Sequence, residues 1–287
     1  MAIERGIVIG IGKVAAGCID TLATHLPNTL GIEPEAQGMS SAKLVCDRRG
    51  LRFLQISAKA ELRDFFLAIE EPTLIISAAN AFLFPPEVVN KANLRFVNFH
   101  NSLLPAHPGR NAPTWSLFAM DRETGVTWHR ISDKLDSGAV ILQSTIAIPP
   151  DATGLELTRM CMDRGIETFR DLAPRLVSGD FEQRPQERST AWRPKRLKDV
   201  PNDGMLDLAW SLDQQYAFLR SLDYKALALF RKPRVQLDAG LFEIVAYAVE
   251  GDRGALGAPA QRVDLADTTL TIASAAAALR LTVRPVG

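Results

Sequence analysis

Cysteine is scarce: three in 287 residues, Cys18, Cys46 and Cys161, far apart and without a C-x-x-C pair. That excludes a disulfide framework and a cysteine zinc site, and reads as reduced, intracellular thiols. Net charge is missing too. Thirty-three basic residues balance thirty-three acidic ones, so no global field draws the chain to nucleic acid or anionic lipid. No apolar run approaches the ~20 residues that span a bilayer. The opening "MAIERGIVIGIG" has neither the length nor the cleavage pattern of a secretory signal. Together these absences predict a cytoplasmic protein without a membrane partner. Histidine is limited to four residues, and none falls in an H-E-x-x-H pattern. There is no G-x-S-x-G elbow. Gly10, Gly12 and Gly17 miss the G-x-G-x-x-G spacing and no G-x-x-x-x-G-K-[ST] follows, so these glycines read as a tight strand–helix turn.

What is present is an ordinary globular balance, with 47% hydrophobic and 23% charged residues. The length suits one large or two modest domains. "RGIVIGIG" at 5–12, "LRFLQIS" at 51–57, "TLIISAAN" at 73–80 and "RFVNFH" at 95–100 read as strands. Between them, 13–26, 40–50, 60–72 and the stretch opened by Pro85 and Pro86 read as helices, the first with Val14, Cys18, Leu22 and Leu26 four apart. This alternation predicts an α/β fold with a mainly parallel sheet. "GVTWHRI" and "AVILQSTIAI" read as two further strands, and 154–179 as a long amphipathic helix with Leu157, Cys161, Gly165, Thr168 and Leu172 near one face. Residues 181–203 turn polar, basic and proline-bearing, as a linker would. A helix and several short strands follow, forming a smaller β-rich region. The predicted boundaries are 1–184 for the first domain, 185–203 for the linker and 204–287 for the second domain.

In open α/β sheets ligands bind beyond the carboxyl ends of the strands, and "NFHNSLLPAHPGRNAPTW" begins at such an end. Asn98 and His100 alternate on one strand, so their side chains share a face. Asp136 lies in the polar loop "SDKLDSG". A carboxylate near an imidazole makes an acid–base pair that works near neutral pH, and a carboxamide supplies a fixed donor for an oxyanion. Each residue type also has a structural use: Asn and Asp close turns, and a histidine can be a satisfied core residue. Spacing alone leaves both readings open. His107 reads as a rim residue, His25 as a helix-end residue, and His129, alternating with Trp128, as facing the layer against the sheet.

Taken together, Asn98-Phe-His100, Ser102-Leu-Leu-Pro105, Gly109, Gly125-Val-Thr127 and Asp136-Ser-Gly138 form an ordered set over some forty residues. The set resembles the signature of the formyltransferases that use 10-formyltetrahydrofolate. That family spans methionyl-tRNA, glycinamide ribonucleotide and sugar-amine formyltransferases and the formyltransferase units of peptide-synthetase pathways. "NDGMLDLAWSLDQQYAFLRSLD" and the short strands after it are similar to the start of the barrel-like carboxy-terminal domain of the methionyl-tRNA and sugar-amine members. The amino terminus lacks the G-T-P-x-F-A segment of the methionyl-tRNA enzymes, and Ser137 stands where threonine is commoner.

The resemblance implies a Rossmann-like formyltransferase domain followed by a small OB-like barrel. It implies 10-formyltetrahydrofolate as co-substrate, no metal, and Asn98, His100 and Asp136 as the catalytic trio. It places the pterin against the segment 80–85 and the loop 131–136, with Asn80, Phe82, Leu83, Ile131, Leu135 and Val140 as lining, and the acceptor against Arg110, Asn111 and Thr114. The leading expectation for the acceptor is an amine or hydroxylamine of a small-molecule or carrier-bound natural-product precursor, with a carrier protein as partner. The alternatives are an amino-sugar nucleotide or methionyl-tRNA and, from other classes, hydrolysis of 10-formyltetrahydrofolate or a non-catalytic folate-binding module. The oligomeric state stays open.

Overall fold

Strand and helix alternate through the first half of the chain, and in the computed structural model this builds one sheet of seven strands. The structure describes residues 2–34, 38–187, 193–227, 229–257 and 259–286. The strands are β1 (Arg5–Gly10), β2 (Thr29–Glu33), β3 (Arg52–Gln55), β4 (Thr73–Ala78), β5 (Leu94–His100), β6 (Glu123–Arg130) and β7 (Val140–Ala147), in the order β3-β2-β1-β4-β5-β6-β7. β1 to β5 pair in parallel, and β6 runs antiparallel to β5. Near-continuous burial along β1, β2 and β4 fits a sheet covered on both faces.

The two faces follow from the two-residue period of a strand. Val8, Leu74, Ile76, Val97, Phe99 and Trp128 join one apolar cluster. Helices α1 (Gly12–Leu22), α2 (Ser41–Arg49) and α6 (Gly154–Ser178) add Cys18, Leu22, Cys46, Phe169 and Leu172 to it. Ile7, Ile9, Ile75, Leu94 and Phe96 face the other way, with Leu62 and Phe66 of α3 (Lys59–Leu67) and Val88 of α4 (Pro86–Val89). Gly165 of α6 is a point of close approach: a Cβ there would lie 2.3 Å from the Phe99 ring. The three thiols are free and buried, and burial pushes that of Cys161 up to about 12, which disfavours its thiolate.

The chain divides into two compact units, and the division is discontinuous. The first comprises Met1–Gly109, Gly125–Ile146 and Arg159–Pro194; the second comprises Arg110–Thr124, Ala147–Thr158 and Lys195–Gly287. So two segments that precede residue 184 fold with the carboxy-terminal region. In that unit α5 (Ala112–Phe118) meets α7 (Leu212–Ser221). Beside them lies a curled half-barrel sheet of β8 (Met205–Leu206), β9 (Arg234–Leu237), β10 (Gly240–Gly251), β11 (Arg262–Ala266), β12 (Thr269–Ala273) and β13 (Ala277–Pro285). Its order is β11-β12-β13-β10-β9-β8. Phe218, Leu219, Val235, Leu270, Leu279 and Leu281 form its core. Of the polar stretch expected to link two domains, 188–192 lies outside the described residues. Residues before it lie along the first unit, where Val140 and Arg184 exchange two backbone hydrogen bonds of 2.8 Å.

Candidate active site

β5 is apolar at Leu94 and Phe96 on one face, and the same face turns polar at Asn98 and His100, where the strand ends. The antiparallel register sets Asn98 opposite His129 of β6. The two side chains therefore meet across the sheet, and Asn98 Nδ2 lies 3.0 Å from His129 Nε2. His129 Nδ1 lies 2.8 Å from the Arg130 carbonyl. Nδ1–H donates to that carbonyl, which leaves Nε2 as the acceptor of the Asn98 amide, so the ring is satisfied in its neutral form. Burial holds the imidazole pKa down at about 4, outweighing the upward pull of the Asp136 charge.

Asp136 closes the cluster. Its Oδ2 accepts from the Gly109 amide at 2.7 Å. Oδ2 lies 3.5 Å from His100 Nδ1, and Oδ1 lies 3.7 Å from His129 Nε2. All three side chains are buried, at 6%, 2% and 7% exposure for His100, His129 and Asp136. His100 Nε2 donates to the His107 carbonyl at 3.0 Å. The two ring nitrogens of His100 thus face oxygens on either side, a carboxylate at Nδ1 and a carbonyl at Nε2.

The other motif residues hold this cluster in place. Thr127 Oγ1 donates to the Ser102 carbonyl at 2.6 Å and accepts from the Leu104 amide at 3.0 Å, so the G-V-T strand clamps the S-L-L-P bend. Gln143 Nε2 adds bonds of 2.7 Å to the Leu104 carbonyl and 3.0 Å to Thr127 Oγ1. Gly138 is required because a Cβ there would sit 1.8 Å from the Arg130 carbonyl oxygen. Asp136 itself is held at φ 51, a left-handed conformation in which a non-glycine residue is strained.

The structure brings Asn98, His100 and Asp136 together. It adds His129, which the alternation with Trp128 had assigned to the opposite layer. The correction comes from the cross-strand register: Trp128 is the residue that turns to the layer beyond, where its ring lies 4.8 Å from that of Phe169. Its one sequence signal was its position opposite Asn98, legible only once the two strands are paired.

The residues expected around a pterin are less uniform. Asn80 spends its side chain on its own loop, bonding Phe82 in both directions at 2.9 and 3.0 Å. Phe82 is buried among Phe66 and Phe84, so it is a core residue. Leu83 and Leu135 are exposed, Ile131 is half-buried, and Val140 is buried beside the Arg184 pairing.

Of the three acceptor-side residues, all in the second unit, Thr114 is fully buried and shares a 3.0 Å hydrogen bond with the Tyr224 hydroxyl. It is a bond within that unit. Asn111 sits at φ 58 before α5, and the Arg110 amide donates to the Lys195 carbonyl at 2.8 Å.

Residues 35–171 match the family model described as formyl transferase. The chain carries a formyl transferase domain. Across 229 residues it is 27% identical to a GDP-perosamine N-formyltransferase of Brucella melitensis biotype 1, spanning 76% of this chain and 84% of that one. A methionyl-tRNA formyltransferase of a Synechococcus species is 34% identical over 125 residues, 44% of this chain and 39% of its own length. Among solved structures, the N-formyltransferase of Helicobacter canadensis in complex with folinic acid and dTDP-3-aminofucose superposes with a TM-score of 0.76. It covers 98% of this chain and all of its own at 13% identity, a likeness of fold. The formyltransferase domain here thus has the α/β architecture its motifs implied. No helix among the described residues is long and apolar enough to cross a membrane.

Proposed function

We propose that the protein is a 10-formyltetrahydrofolate-dependent N-formyltransferase whose acceptor is the amine of a nucleotide-linked amino sugar. The observation that carries the reaction class is the buried carboxylate of Asp136 between two imidazoles, beside the carboxamide of Asn98. Acyl transfer to an amine needs these parts: a base for the proton and donors for an oxyanion.

When bound, 10-formyltetrahydrofolate supplies a formyl carbon joined to N10. The amine nitrogen forms a bond to that carbon, and the C–N10 bond breaks as the tetrahedral adduct collapses. Asp136 takes the proton the amine loses, directly or through a water, and that proton is given up to N10 as the C–N10 bond breaks. Asn98 Nδ2 carries two N–H groups; one is spent on His129 and the other serves the oxyanion. His100 Nε2 exchanges the His107 carbonyl for the oxyanion as its acceptor.

The sugar acceptor replaces the natural-product or carrier-bound amine expected from the motifs. Its support is the GDP-perosamine enzyme, similar to this chain over most of both lengths, whereas the methionyl-tRNA enzymes are similar over smaller shares of both. The test is a transfer assay of the full chain with 10-formyltetrahydrofolate and a panel holding GDP-perosamine, dTDP-linked amino sugars, methionyl-tRNA and free amino acids. Mass spectrometry reads the product, and Asp136→Ala is the control. A formylated amino sugar that disappears in the variant supports the proposal. Transfer to methionyl-tRNA alone overturns the acceptor, and folate deformylated with every amine left intact overturns the transfer in favour of hydrolysis.

A further inference from the structure

After α6 the chain continues as a polar segment that reads, by composition, as a plain connection. In the structure Phe181–Glu187 is a strap along the first unit. Its Arg184 exchanges both backbone bonds with Val140 at the start of β7, and its guanidinium meets the Gln143 side chain. Two residues further on, Gln186 Nε2 donates to the carbonyl of Asp136 at 3.0 Å and to that of Gly138 at 2.7 Å. Because the nitrogen faces two carbonyls, the amide orientation is fixed by chemistry: the oxygen there would meet two acceptors.

These two bonds fall on the turn with the least freedom in the site. Asp136 is at φ 51, and Gly138 is pressed against the Arg130 carbonyl. Ser137 lies between them, with its hydroxyl donating to the Lys134 carbonyl at 2.7 Å. A strained turn persists only when its surroundings over-determine it. Gln186 grips it on either side of Ser137, from outside the cluster of Asn98, His100 and His129. Among the described residues its own Oε1 is buried without a hydrogen-bond partner, an arrangement that costs stability.

The geometry points to Gln186 as a positioning residue: it fixes the turn that aims the Asp136 carboxylate at the Gly109 amide and the two imidazoles. The assignment rests on the catalytic role proposed for Asp136, and it predicts a structural signature that does not. Freed of both bonds, the turn relaxes from its left-handed conformation and the carboxylate swings off Gly109. A misplacement of about 1 Å costs a catalytic group on the order of 10²-fold in rate.

The test uses the full chain with Gln186→Met, which keeps the length and removes both donors, and Glu182→Ala, which changes an exposed residue of the same strap and keeps Gln186. Two readouts are taken: formyl transfer under saturating co-substrate, and hydrogen exchange of the Gly109 amide. In Gln186→Met, kcat is expected to fall about 10- to 100-fold, with KM for 10-formyltetrahydrofolate within about twofold and Gly109 exchanging faster. Glu182→Ala is expected to change neither. Should Gln186→Met not fold, Gln186→Glu, which turns the donors into an acceptor, is read in the same way. Wild-type kcat and wild-type Gly109 exchange in the Gln186 variant overturn the inference. If no acceptor is ever formylated by the parent protein, the function has failed, and Gly109 exchange still decides the positioning.

Discussion

At the scale of single residues, the cluster turns on which hydrogen each imidazole carries. Asn98 bonds His129 through one N–H, and in the proposed mechanism its second, held by that bond, is the donor to the oxyanion. Asn98→Ala is expected to lower kcat by ~10²–10³ with little change in KM for the co-substrate; a rate unchanged within threefold would remove Asn98 from the oxyanion site. His129 provides a test by pH. Its folded-state pKa lies below the usual 6.5, at about 4, because burial disfavours the charged ring. The unfolded chain then binds the proton first as pH falls. The stabilisation is complete above about pH 6.5 and is lost down to about pH 4, amounting to on the order of 3 kcal/mol. Urea midpoints measured between pH 4 and 7 should drop more steeply in the parent than in His129→Gln, and parallel curves would show that His129 is not held neutral. Asn98, His100 and Asp136 were legible through their motifs. His129 was not, because its partner comes from a strand some thirty residues earlier.

At the scale of elements, the alternation of apolar runs and helical patterns made the parallel sheet and the long helix legible, since both periods are written locally in the chain. How closely elements approach was not written there. Gly165 is one such contact: α6 lies against β5 with no room for a methyl group, the Phe99 ring being 2.3 Å from the missing Cβ position. Phe99 cannot swing away freely, because its ring rests on Trp128 at 5.3 Å and it is largely buried. Gly165→Ala gains about 1 kcal/mol in helix propensity and meets an overpacking cost of about 1–3 kcal/mol. The contact is with an aromatic ring in a filled layer, so overpacking wins. The melting temperature should fall by about 2–6 °C, and a rise would show that the ring yields. Phe99 neighbours His100 in β5, so the same variant is expected to lower kcat as well.

At the scale of the whole molecule, composition along the chain marks a boundary near residue 184, and the structure shows why that reading is incomplete. The second unit recruits α5 and the segment 147–158 from before that boundary. Thr114 reaches Tyr224 across 110 residues, and the same hydroxyl meets Thr158 at 3.2 Å. Phe118 packs against the rings of both Trp210 and Phe218, at 5.7 and 6.3 Å, and its carbonyl accepts from Gln214 at 2.9 Å. No local window records such partners, because hydrophobic pattern identifies a face that must be covered and not what covers it. A chain ending at residue 184 would keep α5 with its buried residues Ala112, Pro113, Thr114 and Leu117, and would remove Lys195–Gly287, the greater part of the unit they fold with, α7 included. Uncovered apolar helix faces drive association, so this shortened chain should be aggregated by size-exclusion chromatography, bind a hydrophobic dye and lack a cooperative thermal transition. A monomeric 1–184 that unfolds cooperatively would mean that α5 needs no partner from beyond residue 194. The covering of α5 by α7 would then add to a fold already complete without it.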